Sequence, residues 1–318
     1  MPLTSVQQIT KEYRAQKRGK RKKQFSDWLG SALPMIIFIA AAVFSLLYIS
    51  RPRSIKLDEN ALTVMMLDVG QGDSILIHTP TNNVLIDCGD IDHGAAIAHK
   101  LKAVGITSLD CIINSHPHSD HLGGAADILE MMPVGAFYFP DLPENLLPTS
   151  YSYMNTLDTI EKKGVSVHIP KCGDILSLGI AELRFLSVDN TQFDDLNNCS
   201  LGIELTHGKN TFFMVGDLEK AGEDAFLDAK LVPLATVLKC SHHGSNSSCS
   251  EAFLAAVNPS AAVISVGAGN DYGHPADKLL ARLQAYTEHI FRTDLHGNIR
   301  MVSDGEQVLI TPQIAMGE

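Results

Sequence analysis

Charge is missing from one stretch of this sequence, cysteine is thin throughout, and cations are scarce over most of its length. Between Trp28 and Ser50 no residue is charged, and Leu33–Ile49 is almost wholly apolar apart from Pro34 and Ser45. A helix needs about 20 such residues to cross a hydrocarbon core, and the run is long enough. Six cysteines in 318 residues exclude a disulfide-dense scaffold. Cys88 and Cys111 lie in apolar strand-like runs and read as small buried thiols. Cys240 and Cys249 bracket a histidine-bearing segment, and the sequence leaves them open between paired and free. No internal repeat or low-complexity tract interrupts the chain, which is long enough for one large globular domain plus a short appendage.

The scarcity of cations is uneven. From Met1 to Lys56 there are 11 Lys/Arg against 2 acidic residues, a balance of +9; the remainder holds 14 against 34, a balance of -20. Eight of the early cations, from Lys11 to Lys23, precede the uncharged run, and only Arg51, Arg53 and Lys56 follow it closely. An excess of cations before a span directs the N-terminus to the cytoplasm and the large domain outward. The sequence therefore predicts a basic cytoplasmic tail at 1–28, a transmembrane anchor at 29–50, a linker at 51–60 and one large globular domain at 61–318. A cleaved signal peptide is the rival reading. Its apolar core is usually shorter, and here Ala40-Ala41-Ala42 is followed by more apolar residues. The expected location is the cell membrane, single-pass, with the large domain extracytoplasmic.

Within that domain, short alternating runs and amphipathic stretches succeed one another. Strands are expected at Ala61–Asp68, Ser74–His78, Asn83–Asp87, Cys111–Asn114, Val165–Ile169 and Ala181–Ser187, with a hairpin of Leu201–Thr206 and Thr211–Val215. Further strands are expected at Val237–Lys239, Ala261–Val266, Ile299–Ser303 and Gln307–Thr311. Helices are expected at Ala95–Val104, Gly124–Met132, Tyr151–Lys163, Leu218–Leu227, Glu251–Val257 and Ala276–Tyr286. Two halves of strands with interspersed helices predict a layered α/β domain.

The chemistry concentrates after the strand ending at Asn114, in Ser115-His116-Pro117-His118-Ser119-Asp120-His121. His116 and His118 alternate along an extended chain, which turns both rings to one side. The turn at Asp120-His121 lets those side chains address a second point nearby. Imidazole and carboxylate suit zinc and other borderline first-row cations. A solvated polar loop would account for two of these residues but hardly for four. Three further elements are weaker alone: Asp217 after an apolar strand, His242-His243-Gly244-Ser245 after another, and His274 in Tyr272-Gly273-His274-Pro275. Asp217 could simply cap a helix, but one carboxylate with two oxygens can also bridge two cations. His78, His93, His99, His168, His207, His289 and His296 lack such context and read as structural.

The order of these elements resembles the metallo-β-lactamase superfamily, which implies an αββα sandwich with metals between its two sheets. More narrowly, Asp68-Val69-Gly70-Gln71-Gly72-Asp73-Ser74, Leu85-Ile86-Asp87-Cys88-Gly89, Asn197-Asn198-Cys199-Ser200, Gly216-Asp217-Leu218-Glu219, the His-His-Gly-Ser run and the Gly-His-Pro are similar to one branch. That branch is the extracytoplasmic hydrolase-like domain of the ComEC DNA-uptake proteins and its stand-alone relatives. The resemblance runs from about Ala61 to Thr311 and lacks the polytopic channel. It implies two divalent ions, zinc first and manganese as the alternative. His116 and His118 would hold one, Asp120, His121 and His274 the other, and Asp217 would bridge. Where the wider superfamily completes the first site with histidine, Asn198 stands here, with Cys199 as a substitute thiolate. Asp73 and Asp87 would orient the loop histidines.

The implied chemistry is hydrolysis by a metal-activated hydroxide. Asp120 would orient it, and His242, His243 or Ser245 would stabilise or protonate the departing oxygen. A phosphodiester is the expected substrate, in nucleic acid or in a small or envelope molecule. Esters and lactones fit the same ligands, and a non-catalytic, metal-stabilised binding module is the rival from another class. Long nucleic acid is disfavoured, because polynucleotide affinity comes from Lys/Arg contacts to phosphates and Lys162-Lys163 and Lys171 make no patch. The basic tail at Lys11–Lys23 is better explained by membrane topology than by binding nucleic acid or anionic lipid.

Overall fold

The computed structural model describes residues 60–314 without a break and, before them, only positions 11, 14, 15, 17–19, 39, 57 and 58. The anchor at 29–50 and most of the tail at 1–28 lie outside the described residues. Among the described residues no helix is long and apolar enough to cross a membrane. The chain divides into two compact units, Met1–Ser54 and Ile55–Glu318. The second unit holds both sheets and all of the candidate site.

Its first half supplies β1 (Leu62–Met66), β2 (Ile75–His78), β3 (Asn83–Ile86), β4 (Leu109–Ile113), β5 (Val134–Tyr138) and β6 (Ser166–His168). Its second half supplies β7 (Ile175–Ser177), β8 (Glu182–Leu186), β9 (Gly202–His207), β10 (Asn210–Met214), β11 (Val237–Lys239), β12 (Ala261–Ile264) and β13 (Ile290–Arg292), followed by β14 (Ile299–Ser303) and β15 (Val308–Pro312). Between them lie α1 (Gly94–Ala103), α2 (Ser119–Leu122), α3 (Ala125–Met131), α4 (Tyr151–Lys163), α5 (Lys220–Asp228), α6 (Glu251–Val257), α7 (Asp277–Gln284) and α8 (Thr293–His296).

One sheet has the order β15-β14-β1-β2-β3-β4-β5-β6, the other β13-β12-β11-β10-β9-β8-β7. Each is antiparallel on one side and parallel on the other: β3 pairs β4 in parallel and β10 pairs β11 in parallel. Parallel neighbours need crossovers, and the crossovers are the helices.

Side-chain alternation assigns the layers. Leu62, Val64 and Met66 of β1 face Leu183, Phe185, Ile203, Leu205 and Phe212 of the other sheet in one cluster. Met65 and Leu67 point the opposite way, into a cluster with Ile97, Leu101, Ala125, Ile128 and Ile160 from α1, α3 and α4. The second sheet does the same with Phe213 and Leu238, which pack against Phe226, Phe253, Leu254 and Leu279 of α5–α7. Two sheets face to face with helices outside both make an αββα sandwich. Each fully buried Leu or Phe contributes about 1.5–3 kcal/mol, so the central seam and the two helical seams together fix strand register.

The helix expectations at Tyr151–Lys163 and Glu251–Val257 coincide with α4 and α6, and the others shift by one or two residues. The sequence pattern misses β5, β7 and β13. β5 follows Pro133 and contains Gly135, and only Phe137 of its five residues is buried. β7 and β13 are three-residue edge strands with no clean alternation.

Candidate metal centre

Chemistry-bearing side chains collect where strands end. His116 and His118 follow β4, Asp217 follows β10, and His242 and His243 follow β11. Carboxyl ends of parallel strands leave room for a ligand, because the chain must turn away there into its helix.

Four residues converge most closely. One ligand atom each from Asp120, His121, Asp217 and His243 lies within 4.8 Å of all the others. His121 Nε2 and His243 Nε2 are 3.3 Å apart, and Asp217 Oδ2 is 3.2 Å from both. Asp120 Oδ2 is 3.2 Å from His243 Nε2 and 3.8 Å from His121 Nε2. His121, Asp217 and His243 are buried, while Asp120 is partly open.

The far sides of both rings are tied. His121 Nδ1 lies 2.8 Å from Asp87 Oδ2, and His243 Nδ1 lies 3.0 Å from the carbonyl of Ser265. Each partner is an acceptor, so each Nδ1 carries a proton, and Nε2 is the nitrogen left facing the centre. Asp87 is held in turn by Ser115, whose N–H and Oγ–H donate to it at 2.7 and 2.6 Å. Asp87, His242 and His243 all have positive φ, at 58°, 51° and 52°. Left-handed backbone at non-glycine residues costs on the order of 1–3 kcal/mol each, and here it accompanies His242 and His243 on the cleft wall and Asp87 against the back of His121.

A buried cation completes the network. Lys239 ends β11 with its Nζ against the Asp73 carboxylate, 2.9 Å from the Gly216 carbonyl and 3.6 Å from Asp217 Oδ1. Burial disfavours the charged Asp73, but Lys239 and His243 outweigh it and hold the carboxyl at about 2. Burial likewise opposes the Lys239 ammonium, and Asp73 and Asp217 raise its pKa regardless. For Asp217, burial is outweighed by His121, His243 and Lys239, so it stays ionised well below the ordinary range. Asp120 is lowered too, by His121 and His243 against its desolvation.

His116 and His118 stand beside this cluster with His116 Nε2 3.0 Å from His118 Nδ1. The His116 ring is fully buried and 4.2 Å, centroid to centroid, from that of His121. Burial, then the neighbouring His121, push its pKa well down, which leaves a neutral ring. A cleft of about 270 Å³ opens over the group, and Gln71, His118, Asp120, Asn197, Asp217 and His243 are among the residues that line it.

His274 belongs to the rim of that cleft and not to the four-residue cluster. Its backbone N–H and carbonyl are both held by the Asn270 side chain, at 3.0 and 2.6 Å. Its ring stacks on Tyr272 and lies 5.7 Å from the ring of His242. His243, and not His274, is the fourth member of the cluster formed with Asp120, His121 and Asp217. His242 sits between, with Nδ1 3.0 Å from Glu219 Oε1 and Nε2 4.0 Å from Asp217 Oδ2.

Three other sequence expectations are corrected. Asn198 turns away to the start of α5, where its Oδ1 accepts from the N–H of Gly222 and Glu219. Cys199 is buried with its thiol pushed up to about 11 by desolvation, and its Sγ–H donates to the Asp195 carbonyl. Ser245 pairs with Ser247 Oγ at 2.8 Å and does not line the cleft. Cys240 and Cys249 are free, buried thiols.

Sequence reasoning missed Lys239, hidden in an apolar strand, and Gln71 and Asn197, which no spacing rule singles out. A lysine inside a buried run was the available signal, since such a cation requires buried carboxylates.

The donor set fits divalent cations. Two imidazole Nε2 atoms and two ionised carboxylates converge, so a cation that displaced the ring protons would find four donors there, and Asp217 Oδ1 is buried with no hydrogen-bond partner. A family model described as the metallo-beta-lactamase superfamily matches residues 67–268. ComE operon protein 3 of Bacillus subtilis (strain 168) is 32% identical over 255 residues, covering 74% of this chain and 32% of that protein. Competence protein ComA of Neisseria gonorrhoeae is 31% identical over 252 residues, covering 79% of this chain and 33% of that protein. The chain therefore spans about a third of the length of these relatives. Among solved structures, the β-hydroxylase CmlA superposes with a TM-score of 0.50 at 13% identity, over 77% of this chain and 54% of that one, a likeness of fold alone. With its two sheets, its strand-end histidines and its convergent carboxylates, the chain belongs to the metallo-β-lactamase superfamily.

Proposed function

We propose that the protein is a membrane-anchored, extracytoplasmic hydrolase that uses two divalent cations, zinc or manganese, to cleave phosphodiesters. The observation that carries this reading is the convergence of Asp120, His121, Asp217 and His243 within 4.8 Å at the floor of an open cleft. Those four would hold one cation. His116 and His118 would hold the other, beside Asp217. Held there, two cations would supply a water of lowered pKa and stabilisation of charge on the oxygens of an in-line displacement.

The chain's own groups do the rest. Asp120 is ionised and open to the cleft, so its carboxylate orients the attacking water. His242 lines the cleft with Nδ1 3.0 Å from Glu219 Oε1, and its Nε2 is the group placed to deliver a proton to the departing oxygen. His274 and Tyr272 form the outer wall. Exposed Lys162 and Lys163 are both bound to Glu130, at 2.6 Å each, which removes two of the few cations a polynucleotide could use. Small or envelope phosphodiesters therefore suit the domain better than long DNA, although one of the two relatives is named as a competence protein. Anchoring rests on the uncharged run at Trp28–Ser50 and the cations before it.

The test is turnover by the full chain in detergent micelles, loaded with zinc or manganese. A bis-aryl phosphodiester, an aryl ester and a lactone would be offered in parallel. The phosphodiester is expected to be hydrolysed fastest, and Asp120→Ala to abolish its turnover. Metal binding without phosphodiester turnover, or undiminished turnover in Asp120→Ala, would defeat the proposal.

A further inference from the structure

Two adjacent asparagines lie beside the cleft, and the structure gives them opposite tasks. Asn198 is spent on backbone. Its Nδ2 donates to Asp195 Oδ2 at 2.7 Å, and its Oδ1 accepts from Gly222 N–H at 2.8 Å and Glu219 N–H at 3.2 Å. Both lone-pair directions are filled, so it has no donor to offer a cation.

Asn197 is the reverse. Its side chain lines the cleft with His118, Asp120 and Asp217, yet its Oδ1 is buried without any hydrogen-bond partner. A buried amide oxygen left unpaired costs on the order of 1–3 kcal/mol, and native interiors seldom leave one so. His118 lines the same cleft, and its Nδ1 is hydrogen-bonded at 3.0 Å to His116 Nε2. In that contact one ring nitrogen donates to the other; a cation that displaced the shared proton would meet both nitrogens, and the unpaired Asn197 Oδ1 belongs to the wall of the same cleft.

We propose that Asn197 Oδ1 is the third protein donor for the cation held by His116 and His118. This inference rests on the two-cation reading above and specifies one half of it. The two halves then differ in chemistry. One has two carboxylates and two imidazoles, whereas the other has two imidazoles, a neutral amide oxygen and a share in Asp217. The second of these carries less negative charge, so it binds its cation more weakly. Carbonyl oxygen suits manganese and magnesium, and a third imidazole would suit zinc. Its preference for zinc over manganese is accordingly smaller than that of the carboxylate-rich half.

The experiment measures metal content, not rate. Full-length protein in detergent micelles is dialysed against limiting free zinc or free manganese, and retained metal is counted by mass spectrometry. Manganese occupancy is followed independently by electron paramagnetic resonance. The wild type is expected to keep one zinc tightly and to lose the second equivalent first. Asn197→Ala should weaken only that second equivalent, by at least the roughly 10–100-fold that follows removal of groups orienting a ligand. Asn197→His should tighten it for zinc and not for manganese. Asn198→Ala is the control: it should lose thermal stability through its helix but keep both cations. Unchanged affinity for the second cation in Asn197→Ala, or its loss in Asn198→Ala, would overturn the assignment while leaving the hydrolase reading intact. A wild type that retains no cation would overturn both.

Discussion

His121 Nδ1 lies 2.8 Å from Asp87 Oδ2, and the same carboxylate receives the N–H and hydroxyl of Ser115 at 2.7 and 2.6 Å. Asp87 is thus an all-acceptor clamp that fixes which His121 nitrogen is free. Its left-handed backbone, at φ 58°, aims it.

Replacing Asp87 by asparagine tests the clamp with almost no change in shape. Either orientation of the new amide sets its NH₂ against a donor, the His121 ring on one side or the Ser115 N–H on the other. The Ser115 N–H cannot turn away, so the NH₂ settles against the His121 ring, which is driven to carry its proton on Nε2, where it cannot ligate. Asp87→Asn should lower affinity for the first-bound cation by about 10–100-fold, the usual result of losing such a partner. Chelator competition measures it, and an unchanged affinity would show that Asp87 does not set the tautomer.

A pH dependence follows from the same rings in the metal-free chain. Burial pulls the pKa of His121 down, but Asp217, Asp120 and Asp87 together raise it well above the ordinary value. His243 behaves alike, with burial outweighed by Asp217 and Asp120. Raised folded values mean that protonation of these rings stabilises the metal-free fold fully below about 6.5. That contribution fades as pH rises through the raised values. A cation must displace these protons, so its affinity should climb across the neutral range, with release of about two protons per cation at the His121–His243 half. Calorimetric titration in two buffers of different ionisation enthalpy counts them. Binding without proton release would mean that the rings are already neutral.

Much of this was legible in the sequence because it is local. The His116–His121 run, the alternation of β1 and the periodicity of α4 depend on neighbours a few residues away. The clamp, the buried lysine and the choice between His243 and His274 do not. His121 and His243 are 122 residues apart in sequence and meet only because β4 and β11 end at the same edge of the sandwich. Spacing cannot reveal that Asn198 faces a helix while Asn197 faces the cleft, since one residue of phase decides it.

The Asp73–Lys239 pair should matter to stability out of proportion to its size. Both side chains are almost fully buried, so removing one partner leaves an uncompensated charge, at about 3–5 kcal/mol. Lys239→Met also strips a donor from the Gly216 carbonyl. The single variant should melt far below the wild type, and adding Asp73→Asn should recover part of the loss. Thermal unfolding followed by near-ultraviolet circular dichroism measures both. A double variant no more stable than Lys239→Met would show that the uncompensated charge is not the cause.

Gly72 is where backbone and site meet most tightly. Its φ is +125°, and a Cβ there would lie 2.3 Å from the Asp120 carbonyl oxygen. That oxygen accepts the N–H of Asp73 at 3.1 Å, so a methyl group would push apart the two loops that carry Asp120 and Asp73. Gly105 separates this clash from simple backbone strain, because it has φ +97° with nothing within 4 Å of its would-be Cβ. Gly105→Ala should lose about 1 kcal/mol or somewhat more and keep its metal. Gly72→Ala should lose more stability and also release the cation held by Asp120, because the displaced loop carries the ligand. Equal losses in the two variants, with metal retained in both, would show that the Gly72–Asp120 approach does not hold the site together.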